Sequence, residues 1–337
     1  MKTLIVNHAE VAQLLPMREC IAVMEQTLTA LARGDAVLPL RSVLRLPGEG
    51  NVLGVMPAYL TNPAAAGIKV ITVFPGNQFA GYESHQGAVL LFEMQNGRLL
   101  SITDASAITA IRTAAVSAVA TKLLARPDAG DLAILGSGTQ ARTHLEAMLL
   151  ARSIRRVRVW SRAFEHAHAF AAEQARTHNI AVEVMETAPQ AVAGADIICT
   201  TTASKEPVLR GELLTPGAHI NAVGSSIRAA RELDTHAVAL ARLFVDRRES
   251  TVNEAGDFLF PKQEGAICDA HILGEIGEIL AGRIAGRASP DEITLFKSLG
   301  LAVEDVASAH HIFLRAQARG VGTWVEFGDT RAHAASP

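Results

Sequence analysis

Gly136-Ser137-Gly138-Thr139-Gln140-Ala141 constrains this chain more than any other stretch. An apolar run, Asp131-Leu132-Ala133-Ile134-Leu135, leads into it, and a helical run over 142–150 follows. A strand, a glycine turn and a helix start, in that order, are what a dinucleotide site needs. Gly136 permits the tight turn, Gly138 lets backbone approach a pyrophosphate, and Ala141 lets the helix lie close on the strand. Backbone N–H groups at the helix start attract the diphosphate. Gly136, Gly138, Thr139 and Gln140 are therefore candidate cofactor residues.

The flanking sequence predicts the rest of such a unit. Beyond the turn, strands are expected at 156–161, 181–185, 196–202, 219–223 and 243–246, with helices at 164–178 and 188–193. Continuous apolar runs alternating with helices imply a parallel sheet, so the fold class is α/β with a Rossmann-type nucleotide-binding domain. Ahead of the turn the pattern changes. A strand at 3–6 and a helix at 17–33 are followed by strands at 41–45, 51–56, 67–74 and 87–93. Gln95-Asn96-Gly97 reads as a hairpin turn. A long helix of small and apolar residues covers 105–125 and ends at Arg126-Pro127-Asp128-Ala129-Gly130, the expected domain boundary. The last helix, 303–319, is expected to return to the first domain. That gives a nucleotide domain over 126–302 and a second domain from 1–125 and 303–337, with a fraying tail at 332–337.

Composition narrows the function classes. With 337 residues, 49% hydrophobic and 19% charged, a large core is easily buried. A formal net charge of −3 leaves no footprint for nucleic acid, and 4% aromatics leave no stacking surface for single strands. No apolar run is expected to span a membrane. The N-terminus turns polar too soon for a secretory signal. Cys20, Cys199 and Cys268 are far apart, which fits a reducing compartment and neither a disulfide framework nor a metal site. A cytoplasmic protein is the expectation.

The second strand of the nucleotide unit decides which dinucleotide fits. An Asp or Glu at its tip grips the ribose hydroxyls of NAD. Here the strand Val157-Arg158-Val159-Trp160 ends in Ser161-Arg162, with no carboxylate. Arg162 can instead pair with the 2′-phosphate of NADP, and Arg155, Arg156 and His166 are expected to add positive character nearby. NADPH is the expected cofactor, with NADH as the lesser possibility.

Three basic residues stand in unusual company. Arg41 follows Pro39-Leu40, Lys69 interrupts an apolar strand, and Arg112 lies on the helix of small residues. A charge in such surroundings is expensive without a partner, and a substrate carboxylate would supply one. Thr200, Thr201 and Thr202 end a central strand and are expected to line the nicotinamide side.

Several segments share a wider pattern. They are Leu53-Gly54-Val55-Met56-Pro57-Ala58-Tyr59, Ile68-Lys69, Ser84-His85-Gln86, the run from Ile111 to Ala118, the run from Gly217 to Gly224, and the run from Phe296 to Asp305. Together they resemble the ornithine cyclodeaminase/mu-crystallin family over nearly the whole chain. The resemblance implies a nucleotide-binding domain plus an α/β dimerisation and substrate domain built from both chain ends, hence a homodimer. It implies one of several activities: ornithine cyclodeamination, amino-acid or opine-type dehydrogenation, or reduction of cyclic ketimines. A non-catalytic ligand-binding role, as in mu-crystallin, is a further alternative.

Residue by residue, the family's carboxylate-binding basic positions match Arg41, Lys69 and Arg112. Two departures favour ketimine reduction. The cyclodeaminases place an acid just before the Met-Pro of the first motif, where this chain has Val55. They place an aspartate shortly after the Ala-Val-Gly motif, where this chain has Ser226. The expected catalytic residues are thus Lys69, Arg112 and Ser226. Arg41, Lys69, Arg112 and Ser226 are expected to bind a cyclic imino acid, Δ1-pyrroline-2-carboxylate or Δ1-piperideine-2-carboxylate. The expected cofactor residues also include Ser84, His85, Arg112, Ser161, Arg162, His166, Thr202, Ala203, Val223 and Ser298.

Overall fold

The computed structural model describes residues 2–328, apart from the side chains of Gln78 and Phe79. The tail expected to fray lies outside them. In chain order the elements begin with β1 (Lys2–Val6), α1 (His8–Leu14), α2 (Met17–Arg33), β2 (Ala36–Val37), β3 (Ser42–Arg45), β4 (Val52–Leu60), β5 (Ala65–Val73), β6 (His85–Phe92), β7 (Leu99–Asp104) and α3 (Ala105–Leu124). There follow β8 (Asp131–Leu135), α4 (Thr139–Ala151), β9 (Arg156–Trp160), α5 (Phe164–His178), β10 (Val182–Val184), α6 (Ala188–Val192), β11 (Ile197–Thr200) and β12 (His219–Ala222). The last are α7 (Thr235–Leu240), β13 (Arg242–Val245), α8 (Arg248–Glu254), α9 (Gly256–Gln263), β14 (Ile272–Glu275), α10 (Ile276–Leu280), β15 (Thr294–Lys297), α11 (Ala302–Arg319) and β16 (Thr323–Glu326).

The chain forms two compact units. The first takes the described residues up to Pro16, Asp35–Thr109 and those from Ala302 on; the second takes Met17–Gly34 and Ala110–Leu301. In the first, the sheet runs β16-β1-β7-β6-β5-β4-β2, with β3 also on β4. Among the described residues of this sheet only β1 and β7 pair in parallel. The turn at Gln95-Asn96-Gly97 joins β6 to β7, and the Glu93 carboxylate accepts the N–H groups of Gln95 and Asn96. As expected, the last helix returns to this sheet: α11 packs on β4, β5 and β6. Along β5 the strand period of two turns Ala65, Gly67, Lys69 and Ile71 to the buried side.

The second unit holds an all-parallel sheet in the order β10-β9-β8-β11-β12-β15-β13-β14. Its strands read as near-continuous apolar runs because both faces are covered. Ile198, Ile220, Leu243, Val245, Leu295 and Phe258 belong to one buried cluster. The chain runs outward in opposite directions from β8, through β9 and β10 on one side and β11 and β12 on the other. Such a reversal is where open α/β sheets bind ligands.

The division differs from the break expected at 126–130. α2 joins the second unit because it packs on α10, where Gly277 lies against the Leu28 carbonyl. Most of α3 joins it through buried polar pairs. His144 Nε2 lies 3.0 Å from Ser117 Oγ, and Asn221 Nδ2 donates to Thr121 Oγ1 at 2.9 Å. Burial takes the His144 pKa down to about 4, so this imidazole is neutral and structural. One composition reading is also corrected. At 20 residues α3 is long and apolar enough to cross a membrane, but 78% of its apolar window is buried inside the protein.

Candidate functional site

The sheet register of the second unit brings scattered segments into one row. Trp160, Leu135, Thr200, Ala222, Lys297 and Val245 are successive partners across β9, β8, β11, β12, β15 and β13. The ladder then runs one residue further. Gly136 N–H donates to the Trp160 carbonyl, Thr201 N–H to Leu135, Val223 N–H to Thr200 and Ser298 N–H to Ala222. Ser161, Gly136, Thr201, Val223, Ser298 and Asp246 thus leave the carboxyl ends of the strands side by side. The predicted cofactor residues Gly136, Gly138, Thr139, Gln140, Ser161, Thr202, Ala203, Val223 and Ser298 all follow from this one edge.

The glycine turn fits a dinucleotide. Gly136 has φ +120°, and a Cβ there would stand 2.8 Å from the Thr201 carbonyl oxygen, so only glycine suits the position. A Cβ on Gly138 would meet open space at the start of the 13-residue α4. Ser137 Oγ donates to Ser161 Oγ at 3.0 Å and ties the turn to the tip of β9. Arg162 follows that tip and is exposed, and His166 is exposed in the first turn of α5.

Arg155 and Arg156 do not join them. Arg156 is the first residue of β9, so both lie at the opposite end of the strand from Ser161. Arg156 forks onto Glu183 at 2.8 and 2.6 Å, and Arg155 donates to the Asp128 carbonyl at 3.2 Å. The expectation placed them nearby by sequence distance; a strand of five residues instead separates its ends by about 13 Å.

Behind the row lies a group of buried charges that sequence reasoning missed. Glu232 is fully buried. Its Oε1 accepts the Thr202 N–H at 2.6 Å and the Thr202 hydroxyl at 2.7 Å. Its Oε2 accepts the Thr200 hydroxyl at 2.7 Å and the Gly224 N–H at 2.7 Å. One carboxylate therefore joins the loop after β11 to the loop after β12. Asp257 accepts the N–H groups of Glu232 and Leu233 at 2.8 and 3.0 Å and pairs with Lys297 Nζ at 2.9 Å. Lys297 also donates to the Ala222 and Ser225 carbonyls. Burial, and then the neighbouring Asp257, push the Glu232 pKa up, while Lys297 and the threonine hydroxyls pull it down. The hydroxyls of Thr200 and Thr202 are thus turned toward Glu232, and that of Thr201 toward the Leu135 carbonyl at 3.1 Å.

The substrate candidates divide between the two units. Arg112 and Ser226 belong to the second, Arg41 and Lys69 to the first. Arg112 is buried on α3, 4% exposed, and Ser226 is half-buried in the loop after β12. Arg41 is half-buried beside the start of β3. In the first unit, Ser84 Oγ lies 2.9 Å from His85 Nδ1, and the His85 carbonyl accepts the Ser106 hydroxyl.

Lys69 has a carboxylate partner within the fold. Lys69 Nζ lies 2.6 Å from Asp305 Oδ2, with both side chains buried. The inward register of β5 presents Lys69 to α11, and Asp305 sits in that helix's first turn, where the helix dipole favours a negative charge. Asp305 was visible only as the last residue of a motif, 236 positions from Lys69 in sequence, so nothing local marked it as a partner.

The ornithine cyclodeaminase/mu-crystallin family model matches residues 1–320. A Δ1-pyrroline-2-carboxylate reductase of Bacillus cereus is 38% identical over 325 residues, covering 96% of this chain and 100% of that protein. The ketimine reductase mu-crystallin of Mus musculus is 43% identical over 280 residues, 83% of this chain and 85% of its own length. Among solved structures, the Δ1-pyrroline-2-carboxylate reductase of Thermococcus litoralis, in complex with NADH and L-proline, superposes with a TM-score of 0.93 at 38% identity, covering 95% of this chain and 99% of that one. On these grounds the chain belongs to the ornithine cyclodeaminase/mu-crystallin family.

Proposed function

We propose that this protein is an NAD(P)H-dependent ketimine reductase that converts Δ1-pyrroline-2-carboxylate to L-proline, Δ1-piperideine-2-carboxylate to L-pipecolate, or both. The observation that carries the reading is Arg112, a guanidinium buried among small residues of α3 in the unit that holds the glycine turn. The similarity to a Δ1-pyrroline-2-carboxylate reductase over 96% of this chain, and to a ketimine reductase over 83% of it, supports it.

In this reading Arg112 receives the substrate carboxylate through its planar fork. A reduced nicotinamide, when bound, supplies the hydride. The C=N carbon accepts that hydride, the nitrogen takes one proton, and the amine results. Ser226 orients the ring nitrogen or a water beside it, because a serine hydroxyl is too weak an acid to serve as the proton source. Gly136, Gly138, Thr139 and Gln140 cradle the diphosphate. Thr202, Ala203, Val223 and Ser298 are assigned to the remainder of the cofactor.

The test is NADPH and NADH oxidation with both cyclic imines, beside NAD reduction with ornithine. Turnover of an imine and none of ornithine is expected, because Val55 and Ser226 stand where cyclodeamination needs carboxylates. Robust proline and ammonia formation from ornithine would overturn the assignment.

We further propose NADPH as the preferred cofactor, read by Arg162 and His166 at the tip of β9. Arg162→Ala is expected to weaken NADPH binding about tenfold or more, in line with loss of one charge-assisted contact, and largely to spare NADH. Equal losses for the two cofactors in a fluorescence titration would remove Arg162 from this role. A homodimer is also proposed, formed by the first unit, where Val37, Val43 and Leu44 on β2 and β3 are exposed apolar residues. Sedimentation at micromolar protein should give twice the chain mass; a monomer there would refute it. Cys20, Cys199 and Cys268 form no disulfide among the described residues, which supports a cytoplasmic location.

A further inference from the structure

Arg112 rests on a glycine. A Cβ built on Gly300 would stand 2.4 Å from one Arg112 Nη, 2.7 Å from the other and 3.0 Å from Cζ. Three atoms of the guanidinium at nearly equal and very short distances mean that it lies against the space where a side chain would begin. Gly300 also has φ +79°, a backbone conformation that L side chains rarely adopt. It lies just beyond β15, two residues after Ser298 in the row of strand ends.

The turn that carries Gly300 is itself pinned. Asp246, fully buried at the tip of β13, accepts the Leu299 and Gly300 N–H groups on Oδ2 at 2.5 and 2.8 Å. Its Oδ1 accepts the Arg247 N–H at 2.8 Å. Both oxygens therefore face backbone donors. An asparagine in its place would turn an NH2 group toward an N–H whichever way the amide is placed.

We infer that Gly300 is the seat that sets the position of the Arg112 guanidinium, and that Asp246 holds this seat, so that both are positioning residues for recognition of the substrate carboxylate. This rests on the reading that Arg112 binds that carboxylate. The physical link is spacing. An ordinary contact begins near 3.4 Å, so a methyl group on Gly300 displaces the guanidinium by about 1 Å, a misplacement that can cost a hundredfold in rate. A fork that must match two carboxylate oxygens tolerates such a shift poorly.

The experiment is a double-mutant cycle on Gly300→Ala, Arg112→Ala and the double variant, with Asp246→Asn measured alongside in both backgrounds. The readouts are kcat and KM for Δ1-pyrroline-2-carboxylate at saturating NADPH, NADPH affinity by fluorescence, and Tm. In the Arg112 protein, Gly300→Ala is expected to lower kcat/KM by roughly ten- to a hundredfold, mainly through KM for the imine, with NADPH affinity within about twofold. In the Arg112→Ala background the same change should cost less than about twofold, since no guanidinium remains to displace. Backbone strain at φ +79° lowers Tm equally in both backgrounds, and so separates from the effect on Arg112. An equal loss of kcat/KM in the two backgrounds, or a Gly300→Ala enzyme within about threefold of the parent, overturns the inference. Should Gly300→Ala fail to fold, Asp246→Asn takes its place in the same comparison: a loss confined to the Arg112 protein supports the inference, and an equal loss in both backgrounds overturns it. An Arg112→Ala protein that keeps full efficiency would defeat the functional reading instead, so the two failures are distinguishable.

Discussion

Arg112→Ala is expected to lower kcat/KM on Δ1-pyrroline-2-carboxylate by several hundredfold or more at saturating NADPH. The side chain is buried, and its guanidinium lies against the space where a side chain on Gly300 would begin. Removing one partner of a buried, bidentate ion pair costs roughly 3–5 kcal/mol, which is a few hundred- to a few thousandfold in catalytic efficiency. Arg112→Lys should recover little, because an ammonium presents a point charge where the carboxylate needs two parallel donors. Steady-state kinetics on both variants read this directly. Either one remaining within about threefold of the parent, below ~1 kcal/mol, makes Arg112 a structural residue and removes the carboxylate site proposed around it.

Which parts of this site were legible in the sequence depends on how local their signals are. The helices at 17–33 and 164–178 match α2 and α5 to the residue, because an apolar stripe at helical spacing is written in consecutive residues. The glycine turn was legible for the same reason: strand, turn and helix start occupy one short window. From β8, β9, β11 and β12 the row of strand ends then follows, since parallel strands of an α/β sheet end on one edge. β15 was not legible. It is a central strand, yet it is only Thr294-Leu295-Phe296-Lys297, and a lysine at its end reads as surface. Lys297 can be buried there only because Asp257, 40 residues earlier on α9, meets it.

The same holds for the other buried acids. Asp305 neutralises Lys69 from the far end of the chain. Asp246 ends a predicted strand, with nothing in its neighbours to announce that its carboxylate would cap a turn more than 50 residues on. Buried ion pairs are contacts between distant segments, and a single sequence carries no record of which segment lies opposite. The two compact units differ from the expected domain bounds for that reason too. A break in composition at 126–130 is a local signal, whereas the membership of α2 and α3 is decided by what they pack on.

Glu232 offers the sharpest check on this buried chemistry. It stands in Arg231-Glu232-Leu233-Asp234, a stretch whose charges read as solvated, yet it is fully buried and accepts four hydrogen bonds. Each of its two oxygens receives one backbone N–H, from Thr202 on one side and Gly224 on the other. A threonine hydroxyl can rotate to suit a changed partner, but a backbone N–H cannot. Glu232→Gln preserves shape and volume and still turns an NH2 group onto one of those two donors, in either amide orientation. A buried N–H left without an acceptor costs about 1–3 kcal/mol, which should appear as a fall in Tm of roughly 3–10 °C. The functional consequence is expected at the two loops that Glu232 joins, those carrying Thr202 and Val223, so the affinity for NADPH should fall alongside Tm. Thr202→Val removes a hydroxyl that also accepts the N–H of half-buried Ser204, a donor water can reach, and it leaves both donors to Glu232 satisfied, so it should cost less on both measures. A Glu232→Gln protein that melts within about 1 °C of the parent and binds NADPH equally well by fluorescence titration would mean that the clamp between β11 and β12 does not hold the cofactor edge of the sheet.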